Sequence, residues 1–293
     1  MLRVPWELQQ GRQAEARDDL LAAFTLGRNV SRDGTLISVE VQMSIENGIG
    51  RDVAEHFGQF TPETLKQLVE GVDAAPARRT TAACIPSEMA MFRAELFRKT
   101  DELQKANPGD DAKTLEALHD ELLSFLLEPE TDSWERMAKA AGGTSQGVMK
   151  QLTRDLDAMD QKLAVIATLP YRDFENQMKA FRAEIHESSN PLVQLLVPEW
   201  EDGRRREFGT EVCLAMVHAA VEYKLHGDSA FQRVADPCGQ GPFLLRRFVF
   251  EGVDRGFQLT SALAAAGSRS LIFVEKEGDP FWVYGRHPGE AYK

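Results

Sequence analysis

The chain has 293 residues, of which 43% are hydrophobic and 27% charged, with a net charge of −12 and a pI near 5.1. That length suits one large domain or two ordinary ones at roughly 150 residues each, and the apolar content is too high for a chain disordered throughout. The acidic balance repels nucleic acid and anionic lipid at long range, and no run approaches the roughly 18 apolar residues of a membrane-crossing helix, so neither nucleic-acid binding nor membrane insertion is expected.

Residues 1–19 are charged and Gln-rich, lack an apolar centre and do not read as a signal peptide. The next patterned segment is two-sided. Ile37, Val39, Val41, Met43 and Ile45 alternate with polar residues as a half-buried strand would. Ile37, Val41, Ile45, Ile49, Val53 and Phe57 also fit a slowly drifting helical stripe that Asp33 could cap. No partner strand follows for a long stretch, so helix is the prediction.

Thr61-Pro62-Glu63 is a helix start: a capping hydroxyl, a proline in the first turn and an acid at the positive end. Leu65, Leu68, Val69 and Val72 form its buried side. Met89, Phe92, Leu96 and Leu103 line a second helix, closed by Asn107-Pro108-Gly109. Asp110 or Asp111 opens a third, with Leu115, Leu118, Leu122 and Phe125 inward and Pro129 beyond its end. Residues 141–145 are a break.

The clearest helix runs over 145–169. Met149, Leu152, Leu156, Met159, Leu163 and Ile166 alternate steps of three and four, with Asp155, Asp157 and Asp160 on other faces. Pro170 ends it. Phe174, Met178, Phe181 and Ile185 mark the next helix, and residues 208–225 another, with Phe208, Val212, Ala215, Ala219 and Tyr223 on one side.

Asp236-Pro237-Cys238-Gly239-Gln240-Gly241-Pro242 is dense in turn residues. After it come short β-like runs at 243–250, 256–263, 270–275 and 281–284, joined by hairpin-length connections at 251–255 and 264–269. The predicted architecture is mainly α (α+β): an irregular multi-helix body over 1–235 and a small antiparallel β meander over 236–293. The meander is too small to hold its own core and is expected to pack on the helix of 208–225. Three cysteines, Cys84, Cys213 and Cys238, have neither C-x-x-C nor zinc-ligand spacing. Buried free thiols are the preferred reading, with Cys213–Cys238 as the one bridge that sequence distance favours.

Two stretches, Asn190-Pro191-Leu192-Val193-Gln194-Leu195-Leu196-Val197-Pro198 and Asp236 to Phe243, together with the segment from Asp33 to Asn47, resemble a set of uncharacterised helical proteins of planctomycete-like bacteria. The resemblance implies an extracytoplasmic home and no particular activity. The C-terminal end, with Asp236-Pro237-Cys238-Gly239, Arg246-Arg247 and residues 256–261, is similar to the helix-plus-meander of type II secretion pseudopilins. The chain departs from that family in having no long apolar N-terminal helix.

No nucleophile elbow, phosphate loop, dinucleotide fingerprint or paired-histidine zinc motif occurs. Glu116 and His119 form a single Glu-x-x-His on one helix face, where a di-iron bundle needs the motif twice. Asp52, Glu55 and His56 form a second cluster, and Glu184, His186 and Glu187 a third. His218 shares a helix with Glu211 and Cys213, five positions away, a spacing that faces poorly. The candidate catalytic residues are therefore Glu116, His119 and His218, with no cofactor and no metal expected. The functional expectation is a non-catalytic envelope or interaction protein whose partner is another envelope protein. The alternatives are a hydrolase with a carboxylate/histidine site between helices, a secretion-system component, or a cytoplasmic setting.

Overall fold

A computed structural model describes residues 3–125, 131–188, 190–263 and 269–276. Within them the chain is mainly α, with a small three-stranded antiparallel sheet near its C-terminal end. The first helices are α1 (Arg3–Gln9), α2 (Gln13–Val30), α3 (Leu36–Glu55), α4 (Pro62–Asp73), α5 (Thr81–Ala106) and α6 (Asp111–Phe125). Then come α7 (Thr131–Ala140), α8 (Ser145–Ile166), α9 (Tyr171–Glu187), α10 (Pro191–His226) and α11 (Asp228–Phe231), followed by β1 (Leu244–Phe250), β2 (Val253–Thr260) and β3 (Ser270–Val274). The residues group into two compact units, one of Met1–Asp33, Ile37–Arg79 and Arg205–Lys293, the other of Gly34–Leu36 and Thr80–Arg204. The compositional boundary at 235/236 lies inside the first unit.

In the first unit, α2 packs on α1 and α4. The predicted start of α4 is present: Thr61 Oγ1 accepts a hydrogen bond from the Thr64 amide at 3.1 Å, and Pro62 fills the first helical position. Leu65 and Leu68 are buried. The ambiguous segment is helix α3, but its inward face differs from the stripe read in the sequence. Ile49, Val53 and Phe57 of the stripe are buried as predicted, but Ile37 is 72% exposed and Val41 41% exposed, and Val39 and Met43 are buried instead together with Ser38, Gln42 and Glu46. Asp33 ends a 3-10 turn at Ser31–Asp33. The physical reason for the rotated face is that Gln42 and Glu46 have polar partners inside the unit, described below.

The sheet has the order β1-β2-β3, with Phe257 opposite Phe273 and Leu259 opposite Leu271. The first hairpin turn is tighter than the 251–255 connection read from the sequence. Glu251 and Gly252 both have positive φ (50° and 77°), the two-residue turn whose twist matches paired strands, so β2 already begins at Val253. Phe257 stacks on Phe273 at 5.2 Å and meets Tyr223 of α10 edge-on at 5.1 Å. Phe57, just beyond α3, contacts both sheet rings at 5.7 and 5.2 Å, so the meander rests on the turn after α3 as well as on α10. Lys224 Nζ donates to the Phe57 and Phe60 carbonyls of the connection between α3 and α4 at 2.9 and 3.1 Å. Asp236 gathers the preceding turn: its carboxylate accepts from the Cys238 and Ala262 amides and from the Ser261 hydroxyl. The strand read at 281–284 and residues 264–268 of the second connection lie outside the described residues.

In the second unit, α8 packs against α5, α6, α7 and α9. Thr144 Oγ1 caps it from the Gly147 amide at 3.1 Å. Met149, Leu152, Leu156, Leu163 and Ile166 are buried as the spacing predicts, but Met159 is only half-buried and Asp160 takes the inward place. Arg93 of α5 stands 3.5 Å from the Asp160 carboxylate. Phe174, Met178, Phe181 and Ile185 are all buried on α9. α5 starts at Thr81, ahead of its predicted apolar run, and Thr80 caps it; Met89 and Leu96 are buried, Phe92 and Leu103 half-buried. Asp110 Oδ1 accepts from the Lys113 amide at the start of α6, whose Leu118 is buried. The side chains of Leu122 and Phe125, and Pro129, lie outside the described residues. Cys84, Cys213 and Cys238 are buried and form no disulfide.

Candidate functional site

The residues singled out in the sequence are not brought to one place. Glu116 is exposed on α6, and His119, one turn on, stacks on Trp134 of α7 at 4.9 Å. His119 Nε2 is buried without a hydrogen-bond partner. Both belong to the second unit, whereas His218 belongs to the first. There its half-exposed ring lies 3.9 Å from Glu222. Cys213 is buried while His218 opens to solvent, and burial pushes the Cys213 thiol up against the opposing pull of Arg269 and Arg51. Burial raises the Asp52 carboxyl to about 6, and it raises neighbouring Glu55 with help from Asp52. Glu184 is held by Lys162 on the surface at 2.5 Å. Among the described residues no group of three or more His, Cys, Asp or Glu side chains is arranged to hold a metal ion.

What the fold does assemble is a buried polar stripe on α3. Gln42 and Glu46, one turn apart, share the inward face with no exposure. Gln42 Oε1 accepts from the Ser31 hydroxyl at 2.5 Å and from the Arg79 amide at 3.3 Å, while its Nε2 donates to the Arg79 carbonyl at 3.3 Å. Glu46 accepts Arg28 Nε at 2.5 Å on one oxygen and has Arg78 Nε 3.3 Å from the other. Arg28 Nη1 also donates to the Pro76 carbonyl at 2.9 Å, and Arg78 reaches Glu211 of α10 at 3.6 Å. The stripe thus holds the irregular segment that follows α4. The segment itself is exposed or half-buried, and Gln42 and Arg28 tie its Arg79 and Pro76 backbone groups to α3 and α2. Burial pushes the Glu46 carboxyl up, and the two guanidiniums partly offset this; burial likewise lowers the Arg28 guanidinium against the pull of Glu46.

That held segment forms one wall of a pocket of about 400 Å³. The others come from α3 (Ile49, Val53), α4 (Leu68, Val72) and α10 (Leu214, Val217). Of the fifteen lining residues only Arg28, Asp73 and His218 are polar, so the walls are apolar and the polar groups few, as in small-molecule sites. Gly50 lets the two helices close the floor of the pocket. A Cβ there would stand 2.5 Å from the Cys213 sulfur and 3.7 Å from Val217, so α3 and α10 approach closely at that point.

Sequence reasoning picked out His218 and missed the rest. One local signal existed: Gln42 and Glu46 stand at helical spacing beside Met43 and Ile49, inconsistent with a stripe through Ile37 and Val41. Arg28, Arg78 and Pro76 carry no signal at all, because they reach the site only through the fold. Compared with known proteins, the chain matches no family model, no curated protein and no solved structure.

Proposed function

We propose that the chain is a non-catalytic binding protein and that the pocket walled by α3, α4 and α10 takes an apolar group. The observation that carries the reading is the lining itself: twelve of fifteen residues are apolar or glycine, and the most deeply placed charge, Arg28, is already engaged by Glu46 and the Pro76 carbonyl. Water in such a space has few groups to bond, and its replacement by apolar surface is worth about 25 cal/mol per Å² removed from water. The extracytoplasmic setting implied by the resemblance of residues 190–198 and 236–243 belongs to the same proposal, with a role in the envelope.

Titration with Nile red, an uncharged dye that brightens in apolar surroundings, tests the reading. The expected result is saturable binding at one site per chain, abolished by Ala215→Phe, which fills the pocket from α10. Unchanged helical circular dichroism of the variant would show that only the pocket was altered. Dye binding that neither saturates nor responds to Ala215→Phe would sink the reading.

A further inference from the structure

The polar end of the pocket has a charge balance that constrains what can enter. Arg28 is the cation in its wall, and Glu46 stands behind it at 2.5 Å. The second cation, Arg78, divides its guanidinium between Glu46 at 3.3 Å and Glu211 at 3.6 Å. Asp73 adds a further carboxylate to the lining, and His218 has Glu222 beside it. Glu46 and Glu211 therefore already share the two guanidiniums before any ligand arrives, and Asp73 stands as a further carboxylate in the lining. An anion placed against Arg28 would be desolvated opposite a cation whose field is already cancelled, a poor exchange for its hydration. An uncharged oxygen pays far less to leave water and can still accept from a guanidinium, which carries five N–H donors.

Resting on the proposal that the pocket binds apolar groups, we infer that it selects uncharged amphiphiles: an apolar chain or ring body bearing one neutral hydrogen-bond acceptor, such as a medium-chain alcohol or ester. It discriminates against a carboxylate of equal length. The body lies against Ile49, Val53, Leu68, Val72 and Val217, and the acceptor oxygen faces Arg28. Glu46 is the specificity-determining residue, although it lies behind Arg28 and need not touch the ligand.

Displacement of Nile red by 1-decanol and by decanoate at pH 8, each below its micelle concentration, tests this on the intact chain. The wild type should bind decanol at least roughly tenfold more tightly than decanoate. In Glu46→Gln, which removes the compensating charge and keeps the shape, the ratio should move toward decanoate. Asp73→Asn, at the exposed rim, should move it the same way by less, and it serves if Glu46→Gln does not fold. Decanoate binding as tightly as decanol would overturn the selectivity while leaving an apolar pocket in place. A decanol preference unmoved in both variants would overturn the charge account. Displacement by neither compound, with no Nile red site, would instead remove the binding proposal on which this rests.

Discussion

Each unit buries a carboxylate on a helix face that the apolar spacing assigns to hydrophobic side chains, and the two are treated differently. Glu46 in the first unit has no exposure, accepts a hydrogen bond from Arg28 on one oxygen and has Arg78 3.3 Å from the other, which accepts none. Asp160 in the second unit is 7% exposed, and neither of its oxygens accepts a hydrogen bond. Its cation, Arg93, stands 3.5 Å away and bonds more closely to Asp157 on the outer side of the same helix. Burial raises both carboxyls, but Asp160 reaches about 7, within the neutral range. The difference teaches that burial alone does not decide how a carboxylate behaves. What decides is whether the nearby arginines point their donors at it or at something else.

The comparison is broken most directly at Glu46. Glu46→Ala leaves Arg28 and Arg78 buried without their shared carboxylate and should lower stability by roughly 3–5 kcal/mol, read from urea unfolding. A loss below 1 kcal/mol would mean that the arginines find other partners and that the two sites are alike.

Asp160→Asn should act in the opposite direction. Its folded value of about 7 lies above the ordinary 3.8, so the folded state holds a proton that the unfolded chain releases. The stability of the wild type therefore falls as pH rises from about 4 through 7, and the aspartate is least tolerated above that range. The variant should be more stable than wild type at pH 8, with the gain shrinking toward pH 5. Midpoints that differ by the same amount at both pH values would show that Asp160 does not titrate in this window.

A smaller loss is expected from Gln42→Ala, which sharpens the role of the stripe without changing charge. It removes two bonds to the Arg79 backbone and one from Ser31, and should cost roughly 1–3 kcal/mol. Nile red affinity should fall with it, because the 74–79 segment walls the pocket. The smallest effect belongs to the surface. Lys162 and Glu184 are each nearly half exposed, and Lys162→Ala should change stability by only about 0.2–1 kcal/mol, screened further by salt. Thermal melts in low and high salt check this baseline.

Much of the fold was legible before any coordinates. Spacing of three and four placed Leu152, Leu156, Leu163, Phe174, Met178 and Phe181 in the core, because a helix returns to the same face every 3.6 residues whatever surrounds it. Thr61, Thr144 and Thr80 cap helices through bonds only three residues long, so two of those helix starts could be read locally, at Thr61-Pro62 and after the 141–145 break. Short β-like runs at 243–250, 256–263 and 270–275, set apart by turn residues, marked the strands in the same local way.

The candidate site was legible only at His218. Apolar spacing assumes that polar residues face water, and at Gln42, Glu46 and Asp160 that assumption fails. A buried polar group is tolerated where a distant segment supplies its partner, as Arg28, Arg78 and Arg79 do for α3. The pocket has the same origin, since Arg28, Val53, Val72, Pro76 and Val217 come from segments that only packing brings together. Local hydrogen-bond geometry and helical period are properties of short stretches and stand in the sequence. Desolvation and its compensation depend on what lies across the interior, and only the tertiary structure decided those.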